Sequence, residues 1–447
     1  LALAELLRLV IRSWALLDIP FDWWNDPLML IVLPFIPLVL GFLAGLYPSF
    51  YLTTFRPIQV LKGKIASGLR NQGFRNGLVT VQFAISIALL ASTVFVFQQL
   101  EFMRSRNLGY DKENILVVNQ ADKLGPQLQS FRDQVSTIPG VVNASIAFDM
   151  PGRGRWEDIF HKEGDDTKLP LTQIKIDEHY FRTMGLSPVA GRSFDKDRPS
   201  DKNAAILNET AVALFGWTPE EALGKKVLYM GDDMGAAEVI GVVNDFNFQS
   251  LRENIAPLIF YNIESTMWGS QRVLAIKFSG NPQALISSLE AKWKQTLDDT
   301  PFHFSFLDQE LAQQYLDETR LAGLFAIFTS LSILIAVIGL IGMVAYTVEQ
   351  RKKEISVRKV FGASTGRILV LLNKQYIKVI AVSMAIATPL VLWMMNEWLS
   401  GYAYRITLNP VVFVGAGILE IILALGCVSY LCIKAARTNP AVVLKEE

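Results

Sequence analysis

The stretch PLMLIVLPFIPLVLGFLAGLYPSFYLTTFRPIQVLK, residues 27–62, is met again at residues 410–445 as PVVFVGAGILEIILALGCVSYLCIKAARTNPAVVLK, 383 positions later and without a gap. Pro27 falls on Pro410, Leu40 on Leu423, Tyr47 on Tyr430 and Pro57 on Pro440. Val60-Leu61-Lys62 falls on Val443-Leu444-Lys445. Each copy is an apolar run of membrane length followed by a basic, proline-marked exit. The repeat sets the architecture: the tail of one membrane unit, then a second unit in full. The chain begins at Leu1 rather than methionine, and the first unit is expected to extend upstream of it.

Composition agrees with a membrane protein. Of 447 residues, 51% are hydrophobic and 19% charged, too apolar for an ordinary soluble chain of this size. The apolar residues gather in five runs, 28–53, 78–100, 321–347, 376–399 and 410–434. A span must close its backbone hydrogen bonds within itself, so all five are read as helices. Pro34, Pro37, Pro48 and Pro389 are expected to kink them. Residues 1–18 read as the stub of a sixth span.

The formal net charge of zero hides an asymmetry. Residues 101–320 hold 23 basic and 32 acidic side chains, and the remainder holds 19 and 10. The basic excess lies in connectors 54–77 and 348–374 and in the tail, with Lys434, Arg437 and Lys445. The positive-inside rule puts these in the cytoplasm. Segment 101–320 and the short loop 401–409 then lie outside, as alternation along five spans also requires. Cys427 and Cys432 both lie in the last span, so the outside segment must be stable without disulfides.

The polar continuations 101–106 and 307–320 read as a pair of stalk helices, the first stopped near Gly109. Between them the pattern is mixed. Strands are expected at 114–119, 141–147, 171–176, 204–207, 237–244, 272–278 and 302–306. Helices are expected at 125–137, 178–184, 208–215 and 282–298, with 149–170 as a long loop. The fold class is therefore a multi-pass α-helical membrane protein with one large α+β extracytoplasmic domain and a helical stalk between the two.

Catalytic constellations are absent from the sequence. His161, His179 and His303 lack metal spacing, and there is no HExxH, GxSxG or GxxxxGK[ST]. Gly224-Lys225-Lys226 lacks the phosphate-loop glycine and hydroxyl. Asp165-Asp166 and Asp232-Asp233 read as solvated loops, and Asp245 as a strand-end turn. No metal or cofactor site is expected. Glu420 is the clear ionisable residue inside a span, and such a carboxylate is a functional candidate by default. Its repeat counterpart is Pro37, so the repeat does not demand it.

The most specific short stretch is EQRKKEISVRKVFGAS, residues 349–364. Arg351, Glu354, Ile355, Arg358 and Gly362 recur at helical steps, Glu354 can pair with Arg358, and Gly362 offers an end. Such a helix suits docking on a cytoplasmic partner. Binding to anionic lipid, at about 1 kcal/mol per basic residue, suits it equally on physics alone.

This stretch resembles the cytoplasmic signature of the MacB/FtsX/LolE-type permeases of mechanotransmission ABC transporters. In that family R-x-x-E-I-x-x-R followed by G-A marks the coupling helix that meets the ATPase. The matching positions are Arg351, Glu354, Ile355, Arg358, Gly362 and Ala363, and Lys353 lies among them. Residues 204–224 and 239–260 are similar to the family's periplasmic core domain. The order of span, ectodomain and three spans is similar too. The resemblance implies 1–64 as the end of a first permease repeat, 65–77 as a cytoplasmic linker and 78–106 as a span with its stalk. It implies 107–306 as the periplasmic core domain, with a sublobe 150–236 inserted, and 307–447 as the FtsX-like permease domain. It further implies a non-catalytic subunit of the bacterial inner membrane, with ATP bound by a separate cytoplasmic ABC ATPase dimer. The expected partners are that dimer, the upstream repeat or a second permease copy, the bilayer, and a periplasmic adaptor or client, with no nucleic acid. The family's best-known member carries its own ATPase, and none is visible here. A receptor with a ligand-binding ectodomain is the alternative, although its longest inside segment is short for an output domain. A membrane-anchored enzyme is a third reading.

Overall fold

The structure is a computed structural model and describes residues 2–14, 34–42, 45, 68–350 apart from 155, 166, 230–235, 266–271 and 298, the positions 354, 357, 358 and 361, and residues 364–436. Four helices among the described residues are long and apolar enough to cross a membrane: Arg75–Ser105, Leu316–Gln350, Asn373–Ser400 and Val411–Ile433. They belong to helices Gly68–Ser105, Leu316–Gln350, Thr365–Ser400 and Val411–Ala436, here called the first to fourth spans. The expected run at 28–53 lies largely outside the described residues. The chain divides into two compact units, 1–98 with 318–398 and 407–447, and 99–317 with 399–406.

In the membrane unit the first span is central. Half of its apolar window is buried, against 22–33% for the other three. Phe83, Ile87, Ala336, Leu340, Tyr376, Ile380, Ala387, Ala424 and Val428 form part of the shared core. Small residues set the closest approaches. A Cβ on Gly339 would stand 2.7 Å from Gln82 Oε1, and one on Gly417 would stand 2.9 Å from Met384 Sδ. Gly342, one turn nearer the end of the same span, has nothing within 4 Å of that position.

The ectodomain is one mixed sheet of eleven strands with helices on it. The strands are β1 Ile115–Val118, β2 Val141–Ala147, β3 Glu157–Lys162, β4 Leu169–Ile176, β5 Pro188–Gly191, β6 Ala204–Asn208, β7 Lys226–Tyr229, β8 Ala236–Val243, β9 Leu258–Asn262, β10 Val273–Phe278 and β11 Phe304–Phe306. Their order is β11-β1-β10-β2-β4-β3-β7-β8-β6-β9, with β5 on β8 and a further pairing of β4 with β9. Among the described residues only the β4–β9 and β6–β8 pairs are parallel. Two cores lie on the sheet. One gathers Leu116, Phe131, Ile146, Leu274, Leu289 and Trp293. The other gathers Phe160, Leu171, Leu207, Val239, Ile259 and Tyr261, and so reaches beyond residues 150–236. Gly191 (φ 71°) faces Gly241 across β5 and β8, and a Cβ on either would meet the other strand's backbone.

Three local readings change. The segment 149–170 is not wholly loop: β3 forms within it, its Phe160 buried between β4 and β7. The first stalk helix ends at Ser105, and Gly109 (φ 89°) serves a later turn in which its amide donates to Asn107 Oδ1 at 2.9 Å, beneath Phe246. The second stalk does not run unbroken into its span. Helix Leu307–Gln313 stops at Gln314-Tyr315 before the helix resumes at Leu316. Both turn residues point into the ectodomain: Gln314 donates to Gly152 O at 2.6 Å, and the Tyr315 hydroxyl accepts from Leu251 N at 3.2 Å.

Candidate coupling site

Between the second and third spans the chain has helical turns at Glu354, Val357 and Arg358. Arg358 pairs with Glu354 at 2.6 Å, and both side chains are about half exposed. The Phe361 amide donates to Val357 O at 3.1 Å, extending the turn. Positions 354, 357, 358 and 361 share one helical face. On that face Val357 is exposed and Phe361 is 86% exposed, so apolar area flanks an ion pair. A salt bridge this exposed contributes little to stability, so the face is better suited to recognition. Arg351, Lys353, Ile355, Gly362 and Ala363 lie outside the described residues.

Two contacts unseen in the sequence brace the same end of the spans. The Arg75 guanidinium lies 4.1 Å from the centre of the Tyr346 ring, a cation–π contact from first to second span. Gln350 Nε2 donates to the Tyr346 hydroxyl at 2.6 Å. Only the Gln350–Tyr346 spacing of one helical turn is a local signal; the Arg75 contact joins two spans, and the sequence does not record it.

Deeper in the bundle Glu420 is 1% exposed. Ser86, fully buried, donates its hydroxyl to Glu420 Oε1 at 2.5 Å. An ionisable residue at a span centre costs about 3 kcal/mol of insertion free energy, so a partner is expected. Two more ties bind the first span. Thr93 and Thr329 hydroxyls lie 2.7 Å apart, and Ser383 donates to Thr80 O at 2.8 Å. Each tie reaches a different neighbouring span. Sequence reading found Glu420 but not Ser86, because a serine in a span usually bonds back to its own helix.

In the ectodomain Asp245 and Asp177 serve structure. Asp245 accepts from Thr210 N at 3.0 Å and from the Thr210 hydroxyl at 2.6 Å, fixing the start of helix Glu209–Leu214. Asp177 is buried and accepts from Ile146 N at 2.7 Å, Ser145 Oγ at 2.8 Å and Arg132 at 3.2 Å. Burial pushes its carboxyl up to about 6, against the pull of these donors. Among the described residues no three His, Cys, Asp or Glu side chains gather as a metal site would need.

Two family models match this chain. Residues 79–295 match the MacB-like periplasmic core domain, and residues 326–440 match the FtsX-like permease C-terminal domain. The chain belongs to the MacB/FtsX-type ABC transporter permeases. The permease is 24% identical over 257 residues to the macrolide export ATP-binding/permease protein MacB of Bartonella henselae, a match covering 56% of this chain and 37% of that one. The MacB of Bartonella quintana matches to the same extent. The chain thus spans little more than a third of the length of these relatives. Among solved structures it is similar to the periplasmic region of MacB from Actinobacillus actinomycetemcomitans, at 19% identity and a TM-score of 0.34, covering 48% of this chain and 97% of that one. It is also similar to the extracellular domain of the noncanonical ABC-type transporter YknZ from Gram-positive bacteria, at 16% identity and a TM-score of 0.29, covering 46% and 92%. The permease is a multi-pass inner-membrane protein with an extracytoplasmic segment.

Proposed function

We propose that this permease carries the work of a separate cytoplasmic ABC ATPase to a client outside the membrane, itself doing no bond chemistry. ATP is bound and hydrolysed by the partner dimer. The segment 351–363 receives the motion, and the spans pass it to the ectodomain. The observation that carries this reading is the face of Glu354, Val357, Arg358 and Phe361. It presents an exposed aromatic ring beside an ion pair, on a short connector between two spans. Buried aromatic anchors ringed by polar contacts are what give protein interfaces their affinity. Lipid attraction alone accounts for the cations but not for the ion pair that neutralises one of them. The central first span, tied to all three neighbours, supports transmission by a bundle that moves as one body.

The client is read only as a class. The curated relatives are named for macrolide export, and an amphipathic compound, peptide or lipoprotein is the range to test. The permease is expected to act with a second permease unit, matching an ATPase dimer.

The test is reconstitution with the partner ATPase in lipid. Replacing Glu354 and Arg358 with alanine, or Phe361 with alanine, is expected to abolish permease-dependent stimulation of ATP hydrolysis while membrane insertion stays normal. Undiminished stimulation in all these variants refutes the docking role.

A further inference from the structure

The connector between the third and fourth spans, residues 399–406, folds with the ectodomain unit. Gln99, near the outer end of the first span's helix, is fully buried against it. Gln99 Nε2 donates to Tyr404 O at 2.9 Å, and Gln99 Oε1 accepts from Ile406 N at 3.0 Å. One primary amide thus satisfies a carbonyl and an amide of the loop, as a neighbouring β-strand would. The loop's other side is held by the segment before β9. Ala403 N donates to Arg252 O at 2.9 Å, and Tyr404 N donates to Leu251 O at 3.4 Å. Two cation–π contacts close the arrangement, Arg106 over Tyr404 at 4.1 Å and Arg252 over Tyr402 at 5.2 Å. Leu251 N in turn donates to the hydroxyl of Tyr315, at the break before the second span.

These contacts gather the outer connections of all four described spans at Leu251-Arg252. The first arrives through Gln99 and Arg106, the second through Tyr315, and the third and fourth through their shared loop. We infer that Gln99 is the positioning residue of a clamp that makes this loop a third attachment for the ectodomain, beside the two ends where the chain enters and leaves it. Its purpose rests on the coupling reading, but its existence does not. Without the clamp, movement of the third and fourth spans reaches the ectodomain only indirectly. With it, those spans pull on Leu251-Arg252 directly. A buried glutamine whose donor and acceptor are both used by loop backbone is costly to replace, because two polar groups lose their partner at once.

The test uses the full chain in lipid nanodiscs. Hydrogen exchange reads the clamp itself: the amides of Ala403, Tyr404 and Ile406 exchange slowly, and Gln99→Leu speeds them about tenfold or more. Fast exchange in the unsubstituted chain, or unchanged exchange in Gln99→Leu, overturns the clamp. Should Gln99→Leu fail to fold, Gln99→Asn, too short to reach both partners, gives the same reading. With the ATPase and ATP present, Gln99→Leu keeps hydrolysis but loses the ATP-dependent change in exchange across the ectodomain sheet. Cysteines at Arg252 and Tyr402, joined by a short bifunctional thiol reagent with Cys427 and Cys432 replaced by serine, restore that change. A full ATP-dependent change in unbridged Gln99→Leu overturns the mechanical role. A slow loop in an unsubstituted chain that shows no ATP-dependent change refutes the coupling reading instead, and with it the clamp's part in transmission.

Discussion

Lys175 stands on β4 with its ammonium donating to Ser265 O at 3.1 Å. Burial, and then the charge of Arg272, push it down to about 8 from 10.5. The folded state therefore releases this proton before the unfolded chain does. Between about pH 8 and 10.5 the unfolded chain binds more protons, so stability rises with pH across that window and carries a penalty below it. Lys175→Met is expected to slow exchange of the β4 amides at pH 7, by about 2 kcal/mol of protection, and to flatten the rise above pH 8. Faster exchange at pH 7 would show that the lysine stabilises β4. Glu420 offers a second residue-scale test. The rings of Phe95 and Phe413 lie 5.6 Å apart across the first and fourth spans, so cysteines there should crosslink. Glu420→Gln should preserve that pairing. Glu420→Leu should spread it to a cysteine at Ala416, one turn on in the shared core, with a coupling to Ser86→Ala of about 1 kcal/mol. An undisturbed register in Glu420→Leu removes Glu420 from any positioning role. Glu420 was legible because a carboxylate inside an apolar run is costly wherever it lies. Ser86, Gln99 and Tyr346 were not, because their meaning depends on which residue faces them, and one sequence does not record that.

At the scale of elements, long periodic segments declared themselves and short ones hid. All four described spans were readable from length and apolarity, and β1, β2, β4, β6, β8, β10 and β11 from short apolar or alternating runs. β3 was missed because its sequence, EDIFHK, is mostly polar and lies between glycine-rich turns. Its pairing comes from β4, the next strand, and from β7, which is distant along the chain. The break at Gln314-Tyr315 was missed because no proline or glycine marks it. Two side chains that bond into the ectodomain make the turn. Glycines show the same dependence on context. Gly339→Leu should drive its side chain into Gln82 and destabilise the packing of the first two spans by about 1–3 kcal/mol. Gly342→Leu should be tolerated, since nothing lies within 4 Å. Thermal stability in detergent separates the two, and equal losses would contradict the packing described.

At the scale of the whole molecule, the two ends of the functional account were unevenly legible. The repeat and the charge asymmetry pointed to a multi-pass membrane chain, the family likeness of the R-x-x-E-I-x-x-R stretch pointed to a permease, and the family models at 79–295 and 326–440 agree with it. What no periodicity could show is that the first span is the centre of its bundle, and that the loop 399–406 belongs with the ectodomain. Both bear on how force would travel, because a central, tied span and a clamped loop resist slippage between the input and the output. The most direct measurement of that central claim is the distance between two spin labels on the ectodomain's two cores, at Gln129 and Glu220, in the full chain with its ATPase in nanodiscs. The account predicts that the distance distribution shifts when a non-hydrolysable ATP analogue is added, and that the shift disappears in Glu354→Ala/Arg358→Ala. A distribution unmoved by nucleotide, while the ATPase remains bound and active, would contradict it.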